Sequence, residues 1–183
     1  MTAYLCRASS AALGLMAAVV IATAACSSSA PAEPTRATAA ALSHTFVSPD
    51  ALARALLDAL AERDLARLRG LALSETEFSE HVWPELPASR PERNVPVDYA
   101  WEQMKQRSDG SLQQTMARYA GKRLVLVRTR FTGETTQYQS FAVSRDSEII
   151  ATDDTGRELV LRLYGSAMVK DGRYKLFSYV VDD

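Results

Sequence analysis

Residues 169–176, with the sequence VKDGRYKL, determine how the C-terminal half of this chain folds. Asp171 and Gly172 form a two-residue hairpin signal, because both central positions of a tight primed turn need backbone angles that Asp and Gly accept. The residues on either side alternate between apolar and polar, which is typical of strands with one buried face. This stretch therefore predicts an antiparallel hairpin whose second strand runs from Tyr174 to Val181.

The segments before this hairpin have the same period of two. Residues 159–170 predict a long strand in which Gly165 marks a bulge or a bend. Three earlier strands are expected at residues 124–130, 135–144 and 148–152. Because strands with short hairpin links pair antiparallel, the sequence after Gly121 predicts a meander of about five strands.

The residues before Gly121 follow helical spacing instead. Ser48 can cap a first helix, Pro49 suits its first position, and Asp50 complements the positive end of its dipole. The apolar face of this helix is expected at Leu52, Leu56, Leu57 and Leu60. A second short helix is predicted from the spacing of Leu65, Leu68 and Leu71.

A third short helix and a fourth long one are predicted before the sheet. Residues 74–77, SETE, form a capping-box pattern, and Pro84 stops that helix at about Trp83. Residues 84–96 hold four prolines and predict a loop. A longer helix is expected at residues 98–119, or two helices if Asp109-Gly110 breaks it. Its buried side is predicted at Tyr99, Met104, Leu112, Met116 and Tyr119, and Gly121 stands at its C-cap.

Helices followed by an antiparallel meander predict an α+β domain at residues 48–183, with N-terminal helices packed on a curved sheet of about five strands. This element order, together with the closing hairpin at residues 169–176, resembles the cone-shaped α+β superfamily of nuclear transport factor 2 and ketosteroid isomerase. The resemblance implies helices that close over a bent sheet and leave a cavity. It implies no particular activity, because that fold supports enzymes, ligand binders and interaction modules.

The N-terminus predicts export. Residues 11–25 are apolar and uncharged after Arg7, which suits a signal peptide rather than the ~20 apolar residues of a membrane span. Ala24, Ala25 and Cys26 resemble the bacterial lipoprotein signal (lipobox), although Thr23 stands where that family usually has an aliphatic residue. The resemblance implies a signal peptide at residues 1–25 and lipid attachment at Cys26. Plain secretion by cleavage after Ala24 is the alternative.

Residues 26–47 follow the expected cleavage site and are rich in Ser, Ala, Thr and Pro, which predicts a flexible tether. The resulting expectation is a protein of the cell envelope, anchored by lipid outside the cytoplasm at the periplasmic or outer-membrane face. Ser27 after the cysteine resembles an outer-membrane sorting signal. The formal net charge of -1 provides no basic surface and disfavours nucleic-acid binding.

Few side chains suggest a functional site. Glu77 and His81 lie four residues apart on the third helix and could reach one ligand, but a solvated acid–histidine pair is the favoured interpretation. Trp83, Tyr99 and Trp101 could line the mouth of a cavity. The favoured alternative is that they fasten the Pro-rich loop to the core. No catalytic residue, metal site or cofactor motif is predicted.

Two functions are compatible with these features. The first is a non-enzymatic domain that binds a small apolar ligand or an envelope protein. The second is an enzyme of the lyase, isomerase or hydrolase type that uses a cone-shaped apolar cavity and would need convergent buried polar groups. Homodimerisation through the open face of the sheet is a further expectation.

Overall fold

The computed structural model describes residues 41–181. The predicted signal peptide, Cys26 and the tether up to residue 40 lie outside these residues. The described part has α+β architecture, as predicted. Its helices are α1 (Pro49–Ala61), α2 (Leu65–Leu71), α3 (Glu75–Glu77) and α4 (Val97–Tyr119). Its strands are β1 (Val125–Phe131), β2 (Thr135–Gln137), β3 (Ala142–Arg145), β4 (Ser147–Thr152), β5 (Glu158–Leu161), β6 (Ser166–Lys170) and β7 (Arg173–Ser178).

The start of α1 follows the predicted capping pattern. Ser48 Oγ accepts a hydrogen bond from the amide of Ala51 at 3.1 Å, and Pro49 occupies the first helical position. Asp50 has a second contact, since its Oδ1 accepts from the amide of Thr129 at 2.7 Å and so ties α1 to β1. The predicted leucine face is buried, which gives the helix its place in the core.

The third helical segment is irregular. Ser74 and Glu77 form the predicted capping box, but α-helical geometry ends after one turn. A wide π-type turn at Phe78–Val82 and a tight 3₁₀ turn at Trp83–Glu85 continue it, and Pro84 lies in that last turn. Two more 3₁₀ turns at Pro87–Ser89 and Pro91–Arg93 order the proline-rich loop.

Helix α4 is continuous through Asp109-Gly110, so the alternative of two helices is wrong. Its 23 residues extend about 34 Å at the usual rise per residue. Gly121 follows its end with a φ of 81°, the left-handed conformation expected of a C-cap glycine, and its amide donates to Leu60 O at 2.9 Å. The long helix is thereby fixed to the end of α1.

The strands of the described region form two antiparallel sheets. One has the order β1-β4-β5 and the other β2-β3-β6-β7. The structure therefore has seven short strands where about five longer ones were expected. Two of the predicted strands are divided, one at Tyr138–Phe141 between β2 and β3 and the other at residues 162–165 between β5 and β6.

The two sheets exchange strands at one bend. Asp146 alone separates β3 from β4 and has a φ of 54°, while residues 162–165 separate β5 from β6. The pair β3–β6 thus continues as the pair β4–β5. Gly165 is required there, because a Cβ atom at this position would collide with the carbonyl group of Val180. The predicted bend at Gly165 is confirmed, although it separates two strands rather than curving one.

The closing hairpin is confirmed. Lys170 pairs with Arg173, and Asp171 and Gly172 have φ values of 50° and 71°, as a primed turn requires. The first residues of β7 also pair with a segment that was predicted to belong to the tether. The amide of Phe46 donates to the carbonyl of Tyr174, and the amide of Tyr174 donates to the carbonyl of Phe46, both at 2.8 Å. The contacts of the folded domain therefore begin ahead of Ser48.

Two apolar clusters form the core of the described region. The first joins α1, α2 and the C-terminal half of α4 to the sheet, with Leu56, Ile149 and Leu163 among its buried members. The second joins the irregular third segment and the N-terminal half of α4 to β3 and β6, around Phe78 and Met168. Helix α4 therefore spans both clusters, and the surface between them is where a cavity can open.

Candidate ligand-binding site

An apolar pocket opens beside α4 where the two core clusters meet. Trp101 and Met104 on its wall belong to the second cluster, and Leu112 and Tyr179 belong to the first. Its volume is about 300 Å³. The complete lining is Arg69, Ala72, Leu73, Trp101, Met104, Lys105, Ser108, Asp109, Leu112, Phe177 and Tyr179. Aromatic, aliphatic and thioether walls with a few polar groups at the rim are typical of small-molecule sites.

The rim of the apolar pocket carries three charges. Asp109 lies 3.4 Å from Lys105 Nζ and 3.8 Å from Arg69 Nε, so one carboxylate bridges two cations. All three side chains are between a third and a little over a half exposed, which places these contacts in water and makes each weak. The rim is net positive because two cations share a single carboxylate.

Tyr179 forms a rigid part of the pocket wall. Its hydroxyl donates a hydrogen bond to Leu68 O at 2.6 Å, and its amide donates to Ser108 Oγ at 3.0 Å. Burial raises the pKa of the Tyr179 phenol above its ordinary value, so the hydroxyl stays protonated at neutral pH. The phenol is therefore a fixed wall rather than a proton-transfer group.

A second, polar pocket adjoins the apolar pocket. The two share Met104 and Phe177, which form the boundary between them. The polar pocket has a volume of about 400 Å³. Its other lining residues are Ala100, Gln103, Arg107, Arg145, Asp146, Gly165, Ser166, Ser178 and Val180. The bend between the two sheets, at Asp146 and Gly165, thus lines the polar pocket, and the two adjoining pockets along α4 are together called the cleft.

Of the predicted cavity residues, Trp101 lies in the wall of the apolar pocket and is 7% exposed. Trp83 is half-buried and does not line it; instead, Phe78 lies between the two indoles, with ring centroids 5.6 Å from Trp101 and 6.1 Å from Trp83. This aromatic cluster fastens the third segment to α4. Tyr99 is 61% exposed, so its predicted place on the buried side of α4 is wrong.

Glu77 does not line the apolar pocket, and the prediction that it lies on a solvated helix face is wrong. Glu77 is only 5% exposed, whereas His81 is half-buried on the following turn. Glu77 Oε2 lies 3.3 Å from the Nζ of Lys175, a residue with no exposed surface. The ammonium group also donates to Ser43 O at 2.9 Å, so the ion pair joins three distant parts of the chain.

The hydrogen bonds around Glu77 explain its ionisation. Burial alone would raise the pKa of the carboxyl, but donors from Ser74 N at 2.8 Å, Ser43 N at 2.6 Å and Ser43 Oγ at 2.8 Å, with the charge of Lys175, hold it below its ordinary value. Burial lowers the pKa of Lys175, and the charge of Glu77 opposes that shift. The arrangement is a satisfied structural ion pair.

Two residues of the cleft were not predicted from the sequence: Phe177 in β7 and Tyr179 just after this strand. They occupy alternate positions of a predicted strand, which assigns both to one face. This alternation alone does not predict a pocket, because it does not indicate that α4 lies over this face of the sheet with a gap between them. Arg69 and Leu73 reach the site through the packing of α2 against α4, for which the local sequence has no signal.

The described region contains neither a metal-binding cluster nor a membrane-spanning helix. No group of three or more His, Cys, Asp and Glu side chains within residues 41–181 could hold a metal ion. Among the helices of the same region, none has the combined length and apolar character needed to cross a bilayer.

Comparison with known proteins adds no relative. No protein-family model, curated protein or solved structure matches this chain.

Proposed function

We propose that this chain is a lipid-anchored, non-enzymatic binding domain of the bacterial cell envelope, and that it holds a small apolar molecule in the apolar pocket. The observation that carries the proposal is the pocket of about 300 Å³ at the junction of the two core clusters, with Trp101, Met104, Leu112 and Phe177 in its wall. Concave apolar surface of this kind releases water when an apolar ligand enters, which favours binding.

The groups around this pocket support binding over catalysis. An enzyme acting on an apolar molecule needs an acid or a base buried against its substrate. The carboxylate of Asp109 lies instead at the rim between two cations, and the Tyr179 hydroxyl is bonded to a main-chain carbonyl. The enzyme alternative would require the Asp109 carboxylate or the Tyr179 hydroxyl to transfer a proton, although both already form structural contacts.

The bend at Asp146 and Gly165 supports a finer proposal about the fold. In this proposal the two sheets, which exchange strands at one bend, form one curved surface beneath α4. This arrangement fits the cone-shaped superfamily that the element order resembles. The apolar pocket would then correspond to the cavity under the helices of that fold.

Native mass spectrometry tests the binding function directly. The chain, purified gently from envelopes, should carry a small molecule, and Ala72→Phe should displace it, because Ala72 lines the pocket and a phenyl ring would fill it. Ala117→Phe, on the exposed side of α4, is the matched control and should retain the ligand. Equal occupancy of both variants, or no uptake of any apolar compound, would contradict the proposal.

The lipid anchor is proposed from residues 23–26 and has its own test. Two or more acyl chains give stable attachment, since each buried methylene contributes about 0.8 kcal/mol. Cys26→Ser should therefore move the protein from the membrane fraction and abolish incorporation of labelled palmitate. A wild-type protein that is already released and begins at Ala25 would support plain secretion instead.

Self-association through the open sheet face is a second candidate. Val125 is 66% exposed and Val160 is 57% exposed, and the register β1-β4-β5 places both on the outer face of the three-stranded sheet. Exposed apolar residues can contribute to a protein interface, and this face also carries the charged residues Arg128, Arg130 and Glu158. Light scattering at micromolar concentration should report a dimer that Val160→Glu converts to monomer; a wild-type monomer would remove this candidate.

A further inference from the structure

The polar pocket is lined by two arginines that form no ion pair within residues 41–181. Arg107 on α4 and Arg145 at the end of β3 both line it. Neither guanidinium forms an ion pair with any residue between 41 and 181. Two exposed cations that face one concavity repel each other, and a bound anion would remove that repulsion.

Hydroxyl groups surround the same space. Ser166 and Ser178 occupy opposite positions in the register of β6 and β7, and both line the polar pocket. Ser178 is buried, whereas Ser166 is partly exposed. Guanidinium and hydroxyl groups are the donors that proteins use for carboxylate and phosphate oxygens.

The cleft as a whole is positive although the chain is not. Arg69, Lys105, Arg107 and Arg145 line its two pockets, against two carboxylates, Asp109 and Asp146. The complete chain has a formal net charge of -1. A local excess of cations on a protein of opposite net charge favours an anionic ligand in this cleft over a cationic one.

We infer that the ligand of the cleft is an anionic single-chain amphiphile of the fatty-acid type. Its hydrocarbon chain occupies the apolar pocket beside Trp101 and Leu112, and its anionic head lies in the polar pocket between Arg107 and Arg145. The two pockets adjoin at Met104 and Phe177, so an elongated molecule that passes these side chains would reach both. A volume of about 300 Å³ is at the small end for ligand pockets, which suits a single hydrocarbon chain. This inference rests on the proposed binding function.

The test compares four ligands by isothermal titration calorimetry with residues 27–183, a soluble form that lacks the predicted lipid-attachment residue Cys26 and contains every residue that the structure describes. The ligands are decanoate, decyl phosphate, 1-decanol and decyltrimethylammonium. Both anions should bind about tenfold more tightly than decanol, as expected when a charged group gains hydrogen bonds from arginine. The cation should bind more weakly than decanol. A preference of tenfold or more between the two anions would identify the carboxylate or the phosphate as the head group.

Variants locate the head group. Arg107→Gln and Arg145→Gln should each weaken decanoate by about tenfold and leave decanol unchanged. Arg118→Gln is the matched control, because Arg118 is an exposed arginine of the same helix and does not line the cleft. Ala72→Phe should weaken decanoate and decanol alike, since it fills the space of the hydrocarbon chain.

The possible failures are distinct. If decanoate and decanol bind equally well, or if both arginine variants bind decanoate within twofold of wild type, the assignment of the head group is overturned and the apolar binding function stands. If none of the four ligands binds, the binding function fails together with the assignment.

Discussion

Lys175 Nζ lies 3.3 Å from Glu77 Oε2 in the interior of the domain, and the two charged groups meet around the main chain of Ser43. The pair joins the last strand, the third helical segment and the chain that enters the domain. Buried ion pairs of this kind add little to net stability, because desolvation of both charges offsets their attraction. Removal of one partner is different, since it leaves the other charge buried without compensation.

The first prediction separates these two effects. Glu77→Gln should lower the free energy of unfolding by about 3–5 kcal/mol, because the ammonium group of Lys175 stays buried without its counter-ion. The double variant Glu77→Gln/Lys175→Met should recover most of that loss. Urea unfolding of the wild type, both single variants and the double variant gives the coupling energy directly. Additive losses in the double variant would show that the pair is not coupled.

The second prediction concerns acid. The pKa of Glu77 is lower in the folded chain than its ordinary value, so its contribution to stability is complete above the ordinary pKa and is lost as pH falls through the folded value. Glu148 and Asp153 also have lowered pKa values, through Arg130 and Thr155 respectively, and add to the acid sensitivity.

The informative quantity is therefore a difference between proteins. The gap in the free energy of unfolding between wild type and Glu77→Gln should be constant near neutral pH and should shrink between about pH 5 and about pH 3. Urea titrations at several pH values measure it. A gap that is unchanged down to pH 3 would mean that folding does not lower the pKa of Glu77.

The third prediction uses two glycines with opposite surroundings. Gly165→Ala should lower the free energy of unfolding by about 1–3 kcal/mol, because the new methyl group collides with the Val180 carbonyl and the strand bend must shift. Gly110→Ala is the matched control: nothing lies within 4 Å of its added methyl group, and it sits inside α4. It should raise stability by about 0.5–1 kcal/mol. Thermal unfolding of both variants checks the pair, and a neutral Gly165→Ala would contradict the described bend.

Local signals in the sequence predicted the elements that depend on local chemistry. The capping box at Ser74 and Glu77, the turn at Asp171-Gly172 and the C-cap at Gly121 were all recoverable, because each is set by residues a few positions apart. Trp101 was a candidate for a cavity mouth only because aromatic rings are common in such sites, and its place in the wall of the apolar pocket depends on residues distant in sequence.

Features that depend on distant partners were not predictable in this way. Glu77 and His81 have the spacing of a solvated pair, and no local signal identifies Lys175 as the partner that draws Glu77 inside. Tyr99 fits the apolar spacing of α4, but no neighbouring element covers its side chain in the described region, and it is exposed. Gly165 marked a bend, whereas the exchange of strands between two sheets depends on the pairing of β3, β4, β5 and β6.

The fourth prediction concerns two buried tyrosines whose hydroxyl groups have opposite surroundings. The Tyr179 hydroxyl donates to Leu68 O at 2.6 Å, whereas the Tyr164 hydroxyl, near Ser147, makes no hydrogen bond of normal geometry in the part of the chain that the structure describes. Tyr179→Phe should lower the free energy of unfolding by about 1–3 kcal/mol, because it leaves a buried carbonyl without its donor.

Tyr164→Phe should be neutral or stabilising, because it removes a polar group that is desolvated without compensation. Burial raises the pKa of both phenols, so neither titrates near neutral pH and the comparison is free of ionisation effects. Urea unfolding at pH 7 measures both variants, and their common side-chain change makes each the control for the other. A larger loss in Tyr164→Phe than in Tyr179→Phe would mean that the Tyr164 hydroxyl has a partner, such as a bound water, at the Asp50 end of the first core cluster.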